Sequence, residues 1–185
     1  TTLYLDADCL SNLSTELLGM AAASDNCADV SDITISHVDA AAVPNCAGDD
    51  DTPEGNRTIL RTFYAEDLCE NVDSCTQTIT LLDTLAPQAI VLGDTVACEL
   101  FNDTTEYGSF SASDNCDSDV AYTWSTDSIQ SGACEGNYAV HRTYTFVDDC
   151  GNETSVQQTV IVVDDVAPVI TGEMVAIVAC QVYDA

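Results

Sequence analysis

Apolar and polar residues alternate along Tyr138 to Val147 (YAVHRTYTFV), and a second run rich in β-branched residues, Thr154 to Val163 (TSVQQTVIVV), follows an acidic turn. A period of two with this composition predicts two half-buried strands joined as a hairpin. The second run ends at Asp164-x-x-Ala167-Pro168, a strand-terminating linker. An earlier stretch, Arg57 to Pro87, repeats the plan: Arg61, Cys69, Asp83 and Pro87 each lie 81 residues before Arg142, Cys150, Asp164 and Pro168. The chain is therefore a tandem array.

Other segments recur around the hairpins. Leu3 to Cys9 (LYLDADC), Leu92 to Cys98 (LGDTVAC) and Met174 to Cys180 (MVAIVAC) read as three copies of one opening strand. ASDNC occurs at Ala23 to Cys27 and at Ala112 to Cys116, followed by strand-like Ile33 to Val38 and Val120 to Trp124. Cys46 and Cys134 precede Glu-Gly-Asn in both copies, with an insertion, Ala47 to Pro53, in the first. Only Leu13 to Ala23 has the look of a short helix. Short strands with this spacing predict an all-β chain of tandem immunoglobulin-like β-sandwich repeats, one over 1–86, a second over 87–167, and the opening strand of a further repeat over 168–185.

Charge narrows the partners. The 185 residues carry 32 acidic and 3 basic side chains, a formal net charge of −29. Such a field repels nucleic acid and anionic membranes, so neither is expected as a partner, and cations are. Asp outnumbers Glu, and the short carboxylate suits turns and oxygen-ligand calcium sites. The competing account of the acidity is solubility through self-repulsion.

Ten cysteines at matching points of two repeats predict a disulfide framework in an oxidising, extracellular setting. No CxxC pair occurs, and His37 and His141 are not at equivalent positions, so a repeated zinc site is unsupported. In an immunoglobulin-like sandwich the turns holding Cys116 and Cys150 lie at one end, and Cys98 and Cys134 at the other. That arrangement pairs Cys116 with Cys150 and Cys98 with Cys134, and by the same logic Cys27 with Cys69 and Cys9 with Cys46. Cys75 is left as a buried thiol or a competitor of Cys69 for Cys27, and Cys180 for a following repeat.

ASDNC, C-x-G-N-Y-x-V-x-R-T-Y, D-D-C-G-N-E and VVDDVAP together resemble hyalin-type (HYR) and related immunoglobulin-like repeats of very large bacterial surface adhesins, SprB-type gliding adhesins among them. The first copy departs in one turn, where Leu68-Cys69-Glu70-Asn71 replaces Asp-Cys-Gly-Asn. The resemblance implies a bacterial cell-surface location and a role in adhesion or gliding motility. The Asp-x-x-Ala-Pro linkers also look like the calcium-binding linkers between cadherin domains.

Oxygen donors gather in three loops of each repeat. The turn after the second strand offers Asp25 and Asn26, or Asp114 and Asn115; the hairpin turn offers Asp67, or Asp148 and Asp149; the linker offers Asp83, or Asp164 and Asp165. Calcium takes six to eight oxygens, and three loops converging at a junction can supply them. The plainer reading is that these residues cap turns. Arg61 and Arg142 lie within apolar alternating strands, where a buried guanidinium needs a carboxylate, so each is expected in a structural Arg–Asp pair. Trp124 is expected in the core. Asn12, Asn56, Asn102 and Asn152 begin N-x-Ser/Thr sequons.

Nothing in the sequence suggests catalysis: it has no G-x-S-x-G, P-loop or H-E-x-x-H, and no histidine is shared between copies. The expected function is a structural or adhesive segment of an extracellular repeat filament, stiffened by disulfides and calcium. Its partners would be neighbouring repeats and a surface or glycan ligand. Two other readings are a self-assembling fibre completed by strand donation and a carbohydrate-binding module.

Overall fold

The computed structural model describes residues 1–46, 55–132 and 135–171. The Ala47 to Pro53 insertion, Cys134, Cys180 and most of the 168–185 segment lie outside the described residues. Described secondary structure is almost entirely strand. The strands are β1 (Thr2–Tyr4), β2 (Thr34–Asp39), β3 (Val43–Pro44), β4 (Arg57–Glu66), β5 (Val72–Leu82), β6 (Gln88–Leu92), β7 (Asp94–Ala97), β8 (Ser109–Ser113), β9 (Ala121–Ser131), β10 (Tyr138–Val147) and β11 (Glu153–Val163). One α-helical turn, α1 (Thr15–Leu18), falls within the stretch expected to be helical, and a 3₁₀ turn spans Val30–Asp32.

The first sheet runs β1-β5-β4-β2, with β3 also on β4. In the following repeat the matching sheet runs β7-β11-β10-β9, and a second sheet pairs β6 with β8. In each main sheet a parallel opening strand sits beside an antiparallel hairpin. With β6 and β8 covering the other face, the second repeat is an abbreviated immunoglobulin-type sandwich. Along β10 every second residue, Val140 to Phe146, is fully covered, as the alternation requires. Ile59, Ile79, Leu81, Leu5 and Leu18 build one core; Val140, Val160 and Val162 build the other.

The opening strands differ from expectation. Leu5 N–H donates to Leu82 O, whereas Cys98 N–H donates to Val163 O. The two acceptors are 81 residues apart but the donors 93, so Cys98 occupies the place of Leu5. Cys9 lies four residues farther on, in a turn closed by Asp6, whose Oδ1 accepts the N–H groups of Asp8 and Leu10. There its φ is +56°.

This shift changes the disulfides. Cys9 bonds to Cys116 and Cys46 to Cys150, so the expected Cys9–Cys46 and Cys116–Cys150 pairs are not formed. The end of the first repeat's sheet faces the start of the second repeat, so all four sulfurs meet at one junction, and the Asp6 turn carries Cys9 across to the second repeat. Placement at an end does not choose among the three pairings that four cysteines allow. Cys27 and Cys69 are exposed and have no disulfide partner among the described residues, against the expected Cys27–Cys69 bridge; Cys75 is exposed rather than buried. The Cys98–Cys134 bridge rests on Cys134, outside the described residues.

The arginines are held in two ways. Arg61 is 1% exposed; its Nε donates to Asp39 Oδ1 at 2.7 Å and its Nη2 to Asp39 Oδ2 at 2.8 Å and to Leu13 O at 2.8 Å. That fork ties β4 to β2 and to the loop before α1. Arg142 has no such fork. It donates to the carbonyls of Thr105 and Asp103, stacks 4.2 Å from the Trp124 ring, and reaches the exposed Asp103 carboxylate only at 3.6 Å. Trp124 has no aromatic counterpart in the first repeat, and cation–π contact takes over part of the carboxylate's role.

Arg61→Met is therefore expected to lower stability by roughly 3 kcal/mol, the low end for a broken buried pair, because the Asp39 side chain is 32% exposed and can rehydrate. The Arg61 hydrogen bonds hold the Asp39 carboxyl below its ordinary value. Such a group adds stability above its unfolded pKa and loses it as pH falls through the folded one. Urea denaturation of both proteins should thus show a gap that is widest near neutral pH and narrows below about pH 4.

Candidate metal centre

The linker after β5 is built by local hydrogen bonds. Asn56 Oδ1 accepts Asp83 N–H at 2.6 Å, and Asp83 Oδ1 accepts Leu85 N–H at 3.1 Å. The next linker repeats this geometry, with Asn137 Oδ1 accepting Asp164 N–H at 2.6 Å and Asp164 Oδ1 accepting Val166 N–H at 3.1 Å. The turn leads the chain out of the strand and into Pro87. At Asp164 that carboxylate is exposed, whereas at Asp83 the second repeat covers it and leaves 4% exposure.

What covers Asp83 is the start of the second repeat. Asp114 Oδ1 accepts the N–H groups of Cys116 and Asp117, an Asx turn following β8. Asp148 Oδ1 accepts Asn152 N–H, and its Oδ2 accepts Asn152 Nδ2, both at 2.8 Å, in the β10–β11 turn. These turns bring Asp83, Asp114 and Asp148 together, with one carboxylate oxygen from each within 4.8 Å of the others. Oδ2 of Asp83 and Oδ2 of Asp114 are buried without a hydrogen-bond partner. A small cavity of ≈ 10 Å³, bordered by Asp83, Asp117, Asp148 and Asp149, lies beside them, room for about one water-sized particle.

Electrostatics makes the arrangement costly when it is empty of positive charge. Burial, and then the charges of Asp114 and Asp148, push the Asp83 carboxyl above its ordinary value, opposed by a hydrogen bond from Leu85. Around the site the junction is bound covalently and by polar contacts: Asn115 Nδ2 donates to Asp6 O at 3.0 Å, and both disulfides cross here. Gly55 admits the sulfurs, because a Cβ there would sit 2.5 Å from Cys150 Sγ.

Of the oxygen donors expected from sequence, Asp83, Asp114, Asp148, Asn115 and Asp149 meet at this junction. Asp25, Asn26 and Asp67 lie at the far end of the first repeat, in the same turns: Asp25 Oδ1 accepts Cys27 and Ala28 N–H, and Asp67 accepts Cys69 and Asn71 N–H. Those backbone bonds lower the Asp25 carboxyl; the Asn71 side chain and backbone lower that of Asp67. Glu70 keeps the turn despite replacing glycine, at φ +67° where Gly151 has +86°. Asp164 and Asp165 lie at the far end of the second repeat. Asp117 at the cavity belongs to the junction without having been marked in the sequence, and Asn56 and Asn152 beneath the carboxylates read there only as sequons; Asn56 and Asn137 recur in the Glu-Gly-Asn motif, which is the signal for their turn role.

No protein-family model matches the chain, and no curated protein matches it. Among solved structures it is similar to Drosophila N-cadherin EC1-4 (14% identity over 58% of this chain and 32% of that one, TM-score 0.33) and to protocadherin gammaB7 EC3-6 in a cis-dimer structure (20% identity over 91% and 47%, TM-score 0.34). Human protocadherin-24 EC1-2 aligns over 89% of this chain and 95% of its own at 15% identity, with a TM-score of 0.30. The chain spans about a third to a half of the first two structures. At these TM-scores the likeness carries no argument, and the fold rests on the strand order above.

Proposed function

We propose that the chain is a segment of an extracellular repeat filament in a bacterial surface adhesin, and that its junction binds calcium. The observation that carries this reading is the Asp83 carboxylate, enclosed at the junction of the two repeats against Asp114 and Asp148 with Oδ2 unpartnered. A divalent cation converts their repulsion into a bond between repeats. The donors are all oxygen and several belong to loops, which suits calcium better than zinc or copper. Asp83, Asp114 and Asp148 would hold the ion, and Asp117 and Asp149 border the same space. Beyond this binding the ion has no chemistry to perform.

The role is mechanical, and no catalytic one is proposed: the cavity beside the carboxylates, bordered by Asp83 and Asp148, is far smaller than a sugar ring. Adhesion or gliding would depend on loops or on other parts of a larger assembly. The disulfides suit an oxidising extracellular setting. Calorimetric titration of chelator-treated protein with calcium is expected to show binding in the micromolar to millimolar range of extracellular modules. Loss of the strongest binding event in Asp83→Asn supports the site; an unchanged isotherm in that variant overturns it.

A further inference from the structure

The main sheet of the first repeat carries an apolar belt on its outer face. Along β4 the buried side chains are Ile59, Arg61 and Phe63, so Leu60, Thr62 and Tyr64 point away from the core. On β2, Val38 lies opposite Thr62 and is a diagonal neighbour of both Leu60 and Tyr64. On β5, Val72 lies opposite Glu66 and is the diagonal neighbour of Tyr64 on the other side. Val38, Leu60, Tyr64 and Val72 therefore form one continuous belt across three strands, and each is between 38% and 61% exposed.

The second repeat shows that the fold does not require such a belt. Leu60, Tyr64 and Val72 become His141, Thr145 and Glu153, each 81 residues on, and Ser125 opposite Thr143 takes the place of Val38 opposite Thr62. Thr143 also donates to the Asp127 carboxylate at 2.6 Å, which puts charge at the middle of that face. Strand propensity accounts for the threonines of both faces; it does not account for four large apolar side chains where the same fold elsewhere uses polar ones. On the first face the strands β1, β2, β4 and β5 present one acid, Glu66, at the end of β4. In a chain of net charge −29, a face so nearly free of acids is where a second copy meets the least repulsion. A basic partner would be drawn to the acidic loops instead.

We propose that two copies of the chain associate side by side through this face, sheet on sheet, about a two-fold axis near Thr62. The size fits a weak, specific contact. From Val72 to Leu82, β5 runs about 34 Å, and three strands measure about 14 Å across, so each copy offers roughly 500 Å² of face. The pair then covers roughly 1,000 Å², the low end for specific association. Sheets packed face to face lie about 10 Å apart, which lets Leu60 and Tyr64 of the two copies interdigitate. A two-fold contact uses the same patch on both copies and closes at the dimer. It lies on the side of the sheet, away from Asp83 at its end, and is independent of the calcium reading.

The test is sedimentation of the whole chain in chelator, with the exposed thiols capped by iodoacetamide, so that neither calcium nor new disulfides can join copies. At up to about 1 mM protein, within the range of weak contacts, self-association is expected. Its constant should rise at least about tenfold from about 0.05 to about 0.5 M sodium chloride, because salt screens the like charges and leaves apolar burial intact. The double variant Leu60→His with Tyr64→Thr carries the residues that the second repeat accommodates at the same positions. It should keep the circular dichroism of the unmodified chain and stay monomeric at every salt concentration, as should Val72→Glu. Thr145→Glu, on the second face, should associate as the unmodified chain does. An unmodified chain that remains monomeric throughout assigns the belt to a partner of another kind and overturns the proposal. Association that weakens with salt, or that survives in the double variant, overturns it as well.

Discussion

Reduction of the two junction disulfides is expected to produce the largest loss of stability available to this chain short of unfolding it. Cys9 and Cys116 are 107 residues apart, and Cys46 and Cys150 are 104 apart. Closing a loop of about 100 residues restricts the unfolded chain by about 4 to 5 kcal/mol in the entropic account. The second bridge adds less, because the first already closes most of the same loop. Thermal melts with and without a thiol reductant should therefore differ by well over 10 °C, at roughly 2 to 4 °C per kcal/mol for a chain this long. Peptide mapping without reduction should recover Cys9 with Cys116 and Cys46 with Cys150. Recovery of Cys9 with Cys46 would show that each sandwich is closed separately, and reduction would then leave the link between repeats untouched.

Calcium removal should give the second large effect. At a free concentration a hundred times the dissociation constant, a ligand confined to the folded state adds about 2.7 kcal/mol. Asp83→Asn is expected to abolish that increment and, in chelator, to melt above the unmodified protein. At 4 Å two like charges repel by about 4 kcal/mol at an effective dielectric of 20, and the substitution removes part of this. The pH response follows from the raised Asp83 carboxyl. Between its unfolded and folded pKa values the folded state holds more protons, so stability without cation falls as pH rises through that window. With calcium present the trend reverses, since protons compete for the same oxygens. Melting curves across mildly acidic to neutral pH, with calcium and with chelator, should therefore meet at the acid end and diverge toward neutral pH. Parallel curves, or a variant that melts lower in chelator, would leave Asp83 a turn residue.

The junction was legible because it is made of repeated local motifs. Asp83 and Asp164 share a linker, Asp114 and Asp25 share a turn, and alternation fixed the hairpins that place them. What alternation could not show is a change of register between copies. LYLDADC and LGDTVAC align by eye on their cysteines, yet Asp6 forms a turn that moves Cys9 four residues beyond the position of Cys98, and the disulfide pattern follows from that turn. Likewise β6 was hidden because Gln88–Leu92 directly follows a proline linker and merges with the opening segment. Arg142 reads like Arg61 in sequence, but its surroundings depend on Phe101, Tyr107 and Trp124, which come from other strands and loops.

The Cys9–Cys116 bond also determines which part of the chain feels a pull. Tension applied at the two ends passes from Cys9 straight to Cys116, across the sulfur bridge. The Cys46–Cys150 bond ties the ring so closed to the chain again, so Leu10 to Asn45 and Asp117 to Asp149 share the load in parallel, and only Gly55 to Asn115, with the first hairpin and the proline linker, lies off the line of force. A pull therefore lengthens the chain through those shared stretches and the residues after Cys150, and spares the sheltered hairpin however weakly it is packed.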